Sequence, residues 1–217
     1  MRRVAIFDLD GTLVDSAPDL AAALSRLMAA RGLPGFSRED VIPMIGDGAR
    51  VLVERAFAAR GLAPDADALP AFLADYEANA AVATRPFPGI PEALAALDAA
   101  GWALAVCTNK PEGAARALLA HLGLAPAFTA IIGGDSLPVR KPDPGHLLGA
   151  IAAAGGDAAR AAMVGDHAND MLAAAAARVP ALLCTWGYGR PEMANGAPVA
   201  GRAADLPGLL AAMVPAA

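Results

Sequence analysis

Asp8 and Asp10 sit two residues apart in the stretch FDLDGTLVDS, directly after an apolar run and directly before Gly11 and Thr12. On an extended strand, residues i and i+2 point to the same side, so the two carboxylates face one place. Asp and Gly are also common turn residues, and the stretch by itself admits a plain surface turn. Other polar residues decide between the two readings. Thr108 and Asn109 stand at the end of the apolar run 102–108, Asp166 ends the run 161–166, and Asp170 follows four residues later. Lys141, in RKPDP, comes after the run 128–134. In an open α/β sheet, ligands bind outside the carboxyl ends of the strands, so parallel pairing of these runs would gather all of these residues along one edge. The cleft would hold four carboxylates, one hydroxyl and one ammonium. Four unpaired carboxylates repel one another; a divalent cation resolves that repulsion, and all-oxygen donors select hard Mg2+. Lys141 and Thr108 are natural ligands for phosphate oxygens.

The elements that must position these groups are legible as well. The runs 2–7, 102–108, 128–134, 161–166 and 180–186 have strand length and lack clean alternation. That is the pattern of strands buried on both faces of a parallel sheet. Helical stretches lie between them: 91–100 ends at Gly101, 111–123 opens with Pro and closes with Gly, 143–156 has Asp143 as N-cap before Pro144, and 169–178 follows. The alternation predicts a doubly wound α/β sheet. It breaks from about Asp15 to Arg85, where 19–32, 49–61 and 69–82 carry helical periodicity between turn signals at 32–37, 45–48 and 61–67. The expected organisation is an α/β core from 1–14 and 86–217, with a small helical unit of 15–85 inserted after the first strand. The Pro-rich stretch 84–91 is its return hinge.

Together, DLDGTLVDS (8–16), the Thr108-Asn109 pair, Lys141 in KPDP and GDHAND (165–170) resemble the motifs of the haloacid dehalogenase-like phosphatases, in the family's order. The helical insertion is similar to that family's C1-type cap. Within the family the chain most resembles the phosphoglycolate phosphatases, through IGDGARVLVERAF (45–57), RPFPGI (85–90) and GYG (187–189). The resemblance implies a Rossmann-like parallel sheet core with a helical cap domain. It implies a Mg2+-dependent phosphomonoester hydrolase acting on a small-molecule phosphate ester, 2-phosphoglycolate first. The alternatives are a phosphatase for a sugar phosphate or pyrophosphate, or a phosphomutase of the same superfamily. By the resemblance, Asp8 attacks phosphorus and Asp10 protonates the leaving alkoxide, then activates water. Thr108, Asn109 and Lys141 serve the phosphoryl group; Asp8, Asp166 and the Asp10 backbone carbonyl hold the metal; Asp170 supports them. The physics agrees, because a carboxylate approaching a phosphate dianion meets about 8 kcal/mol of repulsion at about 4 Å and an effective dielectric of about 20. Mg2+ and Lys141 must offset that before a covalent route opens. Gly11 allows close backbone approach and an unusual φ where the chain leaves the strand.

Two departures from the family pattern stand out. His167 replaces the Ser or Thr often found at its place, and Ala177-Arg178 replaces a usual Ala-Gly. In the helical unit, Gly46, Asp47, Gly48 and Arg50 open a helix, whose N-terminus can hold an anion; Arg50 could pair a substrate carboxylate.

Composition bounds the remaining possibilities. The 217 residues carry a net charge of −5, which argues against electrostatic nucleic-acid binding. No strongly apolar run is long enough for a membrane span, and the N-terminal apolar run is too short for a secretory signal, so a cytoplasmic protein is expected. The two cysteines lie apart in strand-like runs, outside any disulfide or zinc pattern, and the three histidines are scattered. A monomer and a homodimer are equally compatible with this sequence.

Overall fold

The computed structural model describes residues 2–79 and 81–216. Every side chain of β1 (Val4–Phe7) is buried, so this strand needs neighbours on both sides and cover on both faces. The next elements in chain order are β2 (Val14–Asp15), α1 (Ala17–Ala29), α2 (Arg38–Val41), α3 (Ala49–Ala58), α4 (Ala68–Asn79) and β3 (Arg85–Pro86). There follow α5 (Ile90–Ala99), β4 (Ala103–Cys107), α6 (Glu112–His121), β5 (Ala130–Ile132), α7 (Pro144–Ala153) and β6 (Ala161–Gly165). The chain closes with α8 (Ala168–Ala177), β7 (Ala181–Cys184), β8 (Val199–Ala200) and α9 (Leu206–Met213).

Among the described residues the main sheet has the order β5-β4-β1-β6-β7-β8, and each neighbouring pair is parallel. Val4 pairs with Ala103 on one side and Ala161 on the other, so β1, β4 and β6 run in step and end together. Successive β1 residues feed opposite faces. Ala5 and Phe7 join the cluster with Leu94, Leu97, Leu118 and Leu210 from α5, α6 and α9. Val4 and Ile6 join the cluster with Leu147, Ile151 and Ala174 from α7 and α8. Helices therefore cover both faces, and the chain runs outward from β1 through β4 to β5, then crosses back to β6 on the other side of β1 and on to β7 and β8. That switch point lies at the carboxyl ends where the sequence places its polar residues.

The helices α1 to α4 bury their apolar residues mainly against one another, with Leu24, Met28, Val53, Phe57 and Phe72 at the centre. They connect to the sheet through an antiparallel ribbon in which Val14 pairs with Pro86 and Asp15 with Arg85. A two-residue ribbon has no period to detect, which is why only its proline content marks the crossing in the sequence. Asp19, buried in the first turn of α1, locks the returning strand. Its carboxylate accepts the Ala83 N–H at 2.9 Å, the Thr84 N–H at 2.9 Å and the Thr84 hydroxyl at 2.7 Å. Burial opposes its charge, but these bonds outweigh burial and hold the carboxyl below its usual range.

The strand β8 and helix α9 are absent from the sequence-based expectation. The first is two residues long, and the second lies in the short segment DLPGLLAAM, between a 3-10 turn and the chain end. The departure at Arg178 has a clear consequence: this residue ends α8 in the left-handed region at φ 56° and ψ 36°, a conformation that glycine adopts without a Cβ clash. Arg178→Gly should therefore raise the free energy of unfolding by about 1 kcal/mol in urea titration. Asp19→Ala leaves three buried or half-buried donors without their acceptor and should lower it by about 2–3 kcal/mol.

Candidate active site

The register of β1, β4 and β6 delivers Asp8, Thr108 and Asp166 side by side. The Asp8 N–H donates to the Val164 carbonyl at 2.9 Å, continuing the β1–β6 ladder one residue past the strand and fixing the Asp8 backbone. On its side chain, Oδ1 accepts the Leu9 N–H at 2.7 Å and lies 3.0 Å from Lys141 Nζ. Among the described residues no hydrogen bond falls on Asp8 Oδ2. Lys141 Nζ also donates to Asp170 Oδ1 at 2.6 Å, and Asp170 Oδ2 accepts the His167 N–H at 3.0 Å. Asp170 is thus both the N3 residue of α8 and the counter-charge of Lys141, and both of its oxygens are engaged. Asp166 Oδ1 accepts the Thr12 hydroxyl at 2.8 Å.

One oxygen each from Asp8, Asp166 and Asp170 can be chosen so that all lie within 4.8 Å of one another. Three buried carboxylates share the single ammonium of Lys141, and the electrostatics follow. Burial first, then the charges of Asp8 and Asp170, push Asp166 well above the ordinary carboxylate range. Burial raises Asp170 to about 7, although Lys141 works the other way. Burial disfavours the Lys141 ammonium, but Asp170 and Asp8 outweigh it and keep the lysine charged. An all-oxygen donor set that is buried and short of positive charge suits a hard divalent cation; among the described residues Asp8 and Asp166 are the members of the cluster that keep one oxygen without a hydrogen bond, whereas Asp170 has both engaged.

Gly11 stands at φ 86°, and a Cβ there would lie 2.1 Å from Asp166 Oδ2 and 2.6 Å from the Tyr188 ring. The expected close approach is therefore made to a carboxylate of the cluster. Thr108 is buried, its N–H bonded to the Ile132 carbonyl at 3.0 Å and its Oγ1 accepting the Lys110 N–H at 3.2 Å. Asn109 donates through Nδ2 to the Lys141 carbonyl and to the Gly46 carbonyl, each at 3.0 Å. It thereby fastens the lysine loop and the loop before α3 to the end of β4. Asp10 stands apart from the three-carboxylate cluster and forms an ion pair with Lys110, 3.1 Å from Nζ.

His167 is a helix cap: its Nδ1 accepts the Asn169 N–H at 3.2 Å, the place a Ser or Thr hydroxyl would take. Burial lowers its pKa, which keeps the ring neutral and Nδ1 able to accept. Arg50 is exposed and does not line the cavity beside Asp8, although its neighbours Gly48 and Ala49 do.

That cavity encloses about 50 Å3 between the sheet end and the helical unit. Asp8, Asp10, Thr108, Asn109 and Lys110 form its floor, and Leu20, Leu52, Phe72, Leu73 and Tyr76 its roof. Lys110, Tyr76 and Thr12 are site residues that sequence reasoning missed. Lys110 directly follows the Thr108-Asn109 pair, and Thr12 follows Asp10 at the spacing that links Asp8 to Asp10, so both carried a positional signal. Tyr76 carried none, because it occupies an ordinary inward position of α4. The helical unit is tied down over the site by a further contact, Asn169 Nδ2 donating to Asp47 Oδ1 at 2.6 Å.

A family model described as haloacid dehalogenase-like hydrolase matches residues 3–178. The phosphoglycolate phosphatase of Agrobacterium fabrum is 50% identical over 189 residues, covering 85% of this chain and 81% of that protein. The phosphoglycolate phosphatase of Caulobacter vibrioides is 49% identical over 186 residues, covering 84% and 78%. Among solved structures, that of a "predicted phosphoglycolate phosphatase" from Haemophilus somnus 129pt matches with a TM-score of 0.86 at 32% identity, over 96% of this chain and 97% of that one. Similarity of this extent, joined to strand ends that gather the motif residues around one buried cluster, places the chain among the haloacid dehalogenase-like hydrolases.

Proposed function

We propose that the protein is a Mg2+-dependent phosphomonoesterase that works through a phosphorylated Asp8 and converts 2-phosphoglycolate to glycolate and phosphate. The observation that carries this reading is the position of Asp8, buried at the switch point, paired with Lys141 on Oδ1 and within reach of Asp166, at the floor of a small cavity. In the first half-reaction an Asp8 oxygen attacks phosphorus, the bond to the ester oxygen breaks, and Asp10 gives that oxygen its proton. In the second, Asp10 takes a proton from water, the water oxygen bonds to phosphorus, and the bond to Asp8 breaks. Lys141 and Thr108 hold the phosphoryl oxygens, and Asn109 keeps Lys141 in place. Asp8, Asp166 and the Asp10 carbonyl would hold Mg2+, which when bound supplies positive charge beside the transferred group. Transfer is otherwise a matter of positioning and charge.

The helical unit of 15–85 serves as a cap that excludes water while Asp8 carries the phosphoryl group. The small cavity lined by Asp8, Asp10 and Thr108 beneath the helical unit supports a small ester as substrate. The names borne by the relatives at 50% and 49% identity support the same substrate.

A panel of phosphate esters assayed with and without Mg2+ tests the reading. Turnover of 2-phosphoglycolate should fall at least about 1,000-fold in Asp8→Asn and on chelation of the metal. Activity that survives Asp8→Asn would rule out the covalent route, and turnover of other esters but not 2-phosphoglycolate would remove the substrate assignment. Gly11→Ala, which drives a methyl group into Asp166, should lower kcat at least about 100-fold while the far-UV circular dichroism stays native.

A further inference from the structure

Lys110 is a buried cation that the mechanism above leaves without a part. Its side chain is 6% exposed, and Nζ lies 3.1 and 3.2 Å from the two Asp10 oxygens and 2.9 Å from the Tyr76 hydroxyl. The ammonium also sits 4.3 Å from the centre of the Tyr76 ring. Its backbone is fixed on both sides, the N–H donating to Thr108 Oγ1 and the carbonyl accepting the Gly134 N–H at 2.8 Å. Lys110 lines the same cavity as Asp8 and Thr108 and is the one cationic side chain among the described residues that do so. Lys141 is outside that lining, held by Asp8 and Asp170.

A buried ammonium costs several kcal/mol unless it is well paired, and a methionine would fill the volume without that cost. The charge therefore calls for a reason beyond packing, and the chemistry of the substrate supplies one. In 2-phosphoglycolate a single methylene separates the ester oxygen from the carboxylate. The group that protonates the ester oxygen and the group that receives the carboxylate must then be neighbours. Asp10 and Lys110 are such neighbours, at hydrogen-bond distance from each other in one cavity. A substrate carboxylate arriving beside Asp10 also meets like charge, which a cation between them relieves.

We propose that Lys110, supported by the Tyr76 hydroxyl, is the specificity residue that receives a carboxylate on the leaving alcohol and holds it one methylene away from the oxygen that Asp10 serves. This rests on the reading of the chain as a phosphatase for 2-phosphoglycolate, and it makes the recognition site a joint product of the sheet end and helix α4. The charge on Lys110 selects an acidic alcohol, and its closeness to Asp10 selects a short one.

The test compares Lys110→Met and Tyr76→Phe with the wild type on 2-phosphoglycolate and ethyl phosphate, which differ in the carboxylate. The ratio of the two kcat/KM values should fall at least about 20-fold in Lys110→Met, mainly through KM, and about 3- to 10-fold in Tyr76→Phe. Equal losses on both esters would show that Lys110 serves only Asp10 or the fold, and would overturn the proposal. Inhibition of p-nitrophenyl phosphate hydrolysis by glycolate gives a reading that needs no turnover of 2-phosphoglycolate. It should be competitive in the wild type and at least about 10-fold weaker in Lys110→Met. Absence of that inhibition in the wild type, or its persistence in the variant, would sink the role of Lys110; failure of the wild type to hydrolyse 2-phosphoglycolate would instead sink the substrate assignment. Should Lys110→Met not fold, Tyr76→Phe carries both readouts.

Discussion

Three carboxylates buried around one ammonium, Asp8, Asp166 and Asp170 about Lys141, are the constraint that the rest of the structure serves. Like charges taken out of water repel strongly, and the fold supports them with fixed partners rather than with solvent. The Thr12 hydroxyl holds Asp166, the His167 N–H and Lys141 hold Asp170, and the Leu9 N–H holds Asp8. Even so burial first, and then the charges of Asp8 and Asp170, push Asp166 well above the ordinary carboxylate range. Three buried carboxylates around one ammonium form an all-oxygen donor set that suits a hard divalent cation.

The parallel sheet makes such crowding possible. Three strands in step bring three loops to one edge, and backbone amides there are already committed to neighbouring strands, as with Asp8 to Val164. Glycine at position 11 then lets the first loop pass within contact distance of Asp166, where any side chain would collide.

The helical unit joins this site through ties at both ends. On the hinge side, Tyr188 of the core donates to Asp15 at 2.7 Å, Asp15 pairs with Arg38 of α2 at 2.9 Å, and Asp19 holds the returning strand. On the site side, Asn109 and Asn169 hold the loop at Gly46 and Asp47. The apolar roof over Asp8 and Asp10 is therefore set by polar contacts at its margins, while the bulk of the unit rests on its own core.

The sequence by itself determined the parts that depend on local pattern. Uninterrupted apolar runs marked the buried strands, Pro and Gly marked the helix ends, and acidic or hydroxyl residues at the run ends marked Asp8, Asp10, Thr108 and Asp166. Lys141 was legible through its motif. Tertiary structure decided what depends on which elements meet. It set Lys110 between Asp10 and Tyr76, residues 100 and 34 positions away along the chain. It left Arg50 exposed on the first turn of α3, because helical phase turns that residue away from the cavity that Gly48 and Ala49 line. It also gave His167 the work of a helix cap, a role set by the turn geometry after β6. Periodicity reports how a segment meets its immediate surroundings, whereas a buried ion pair between a loop and a distant helix is fixed only once the packing brings them together.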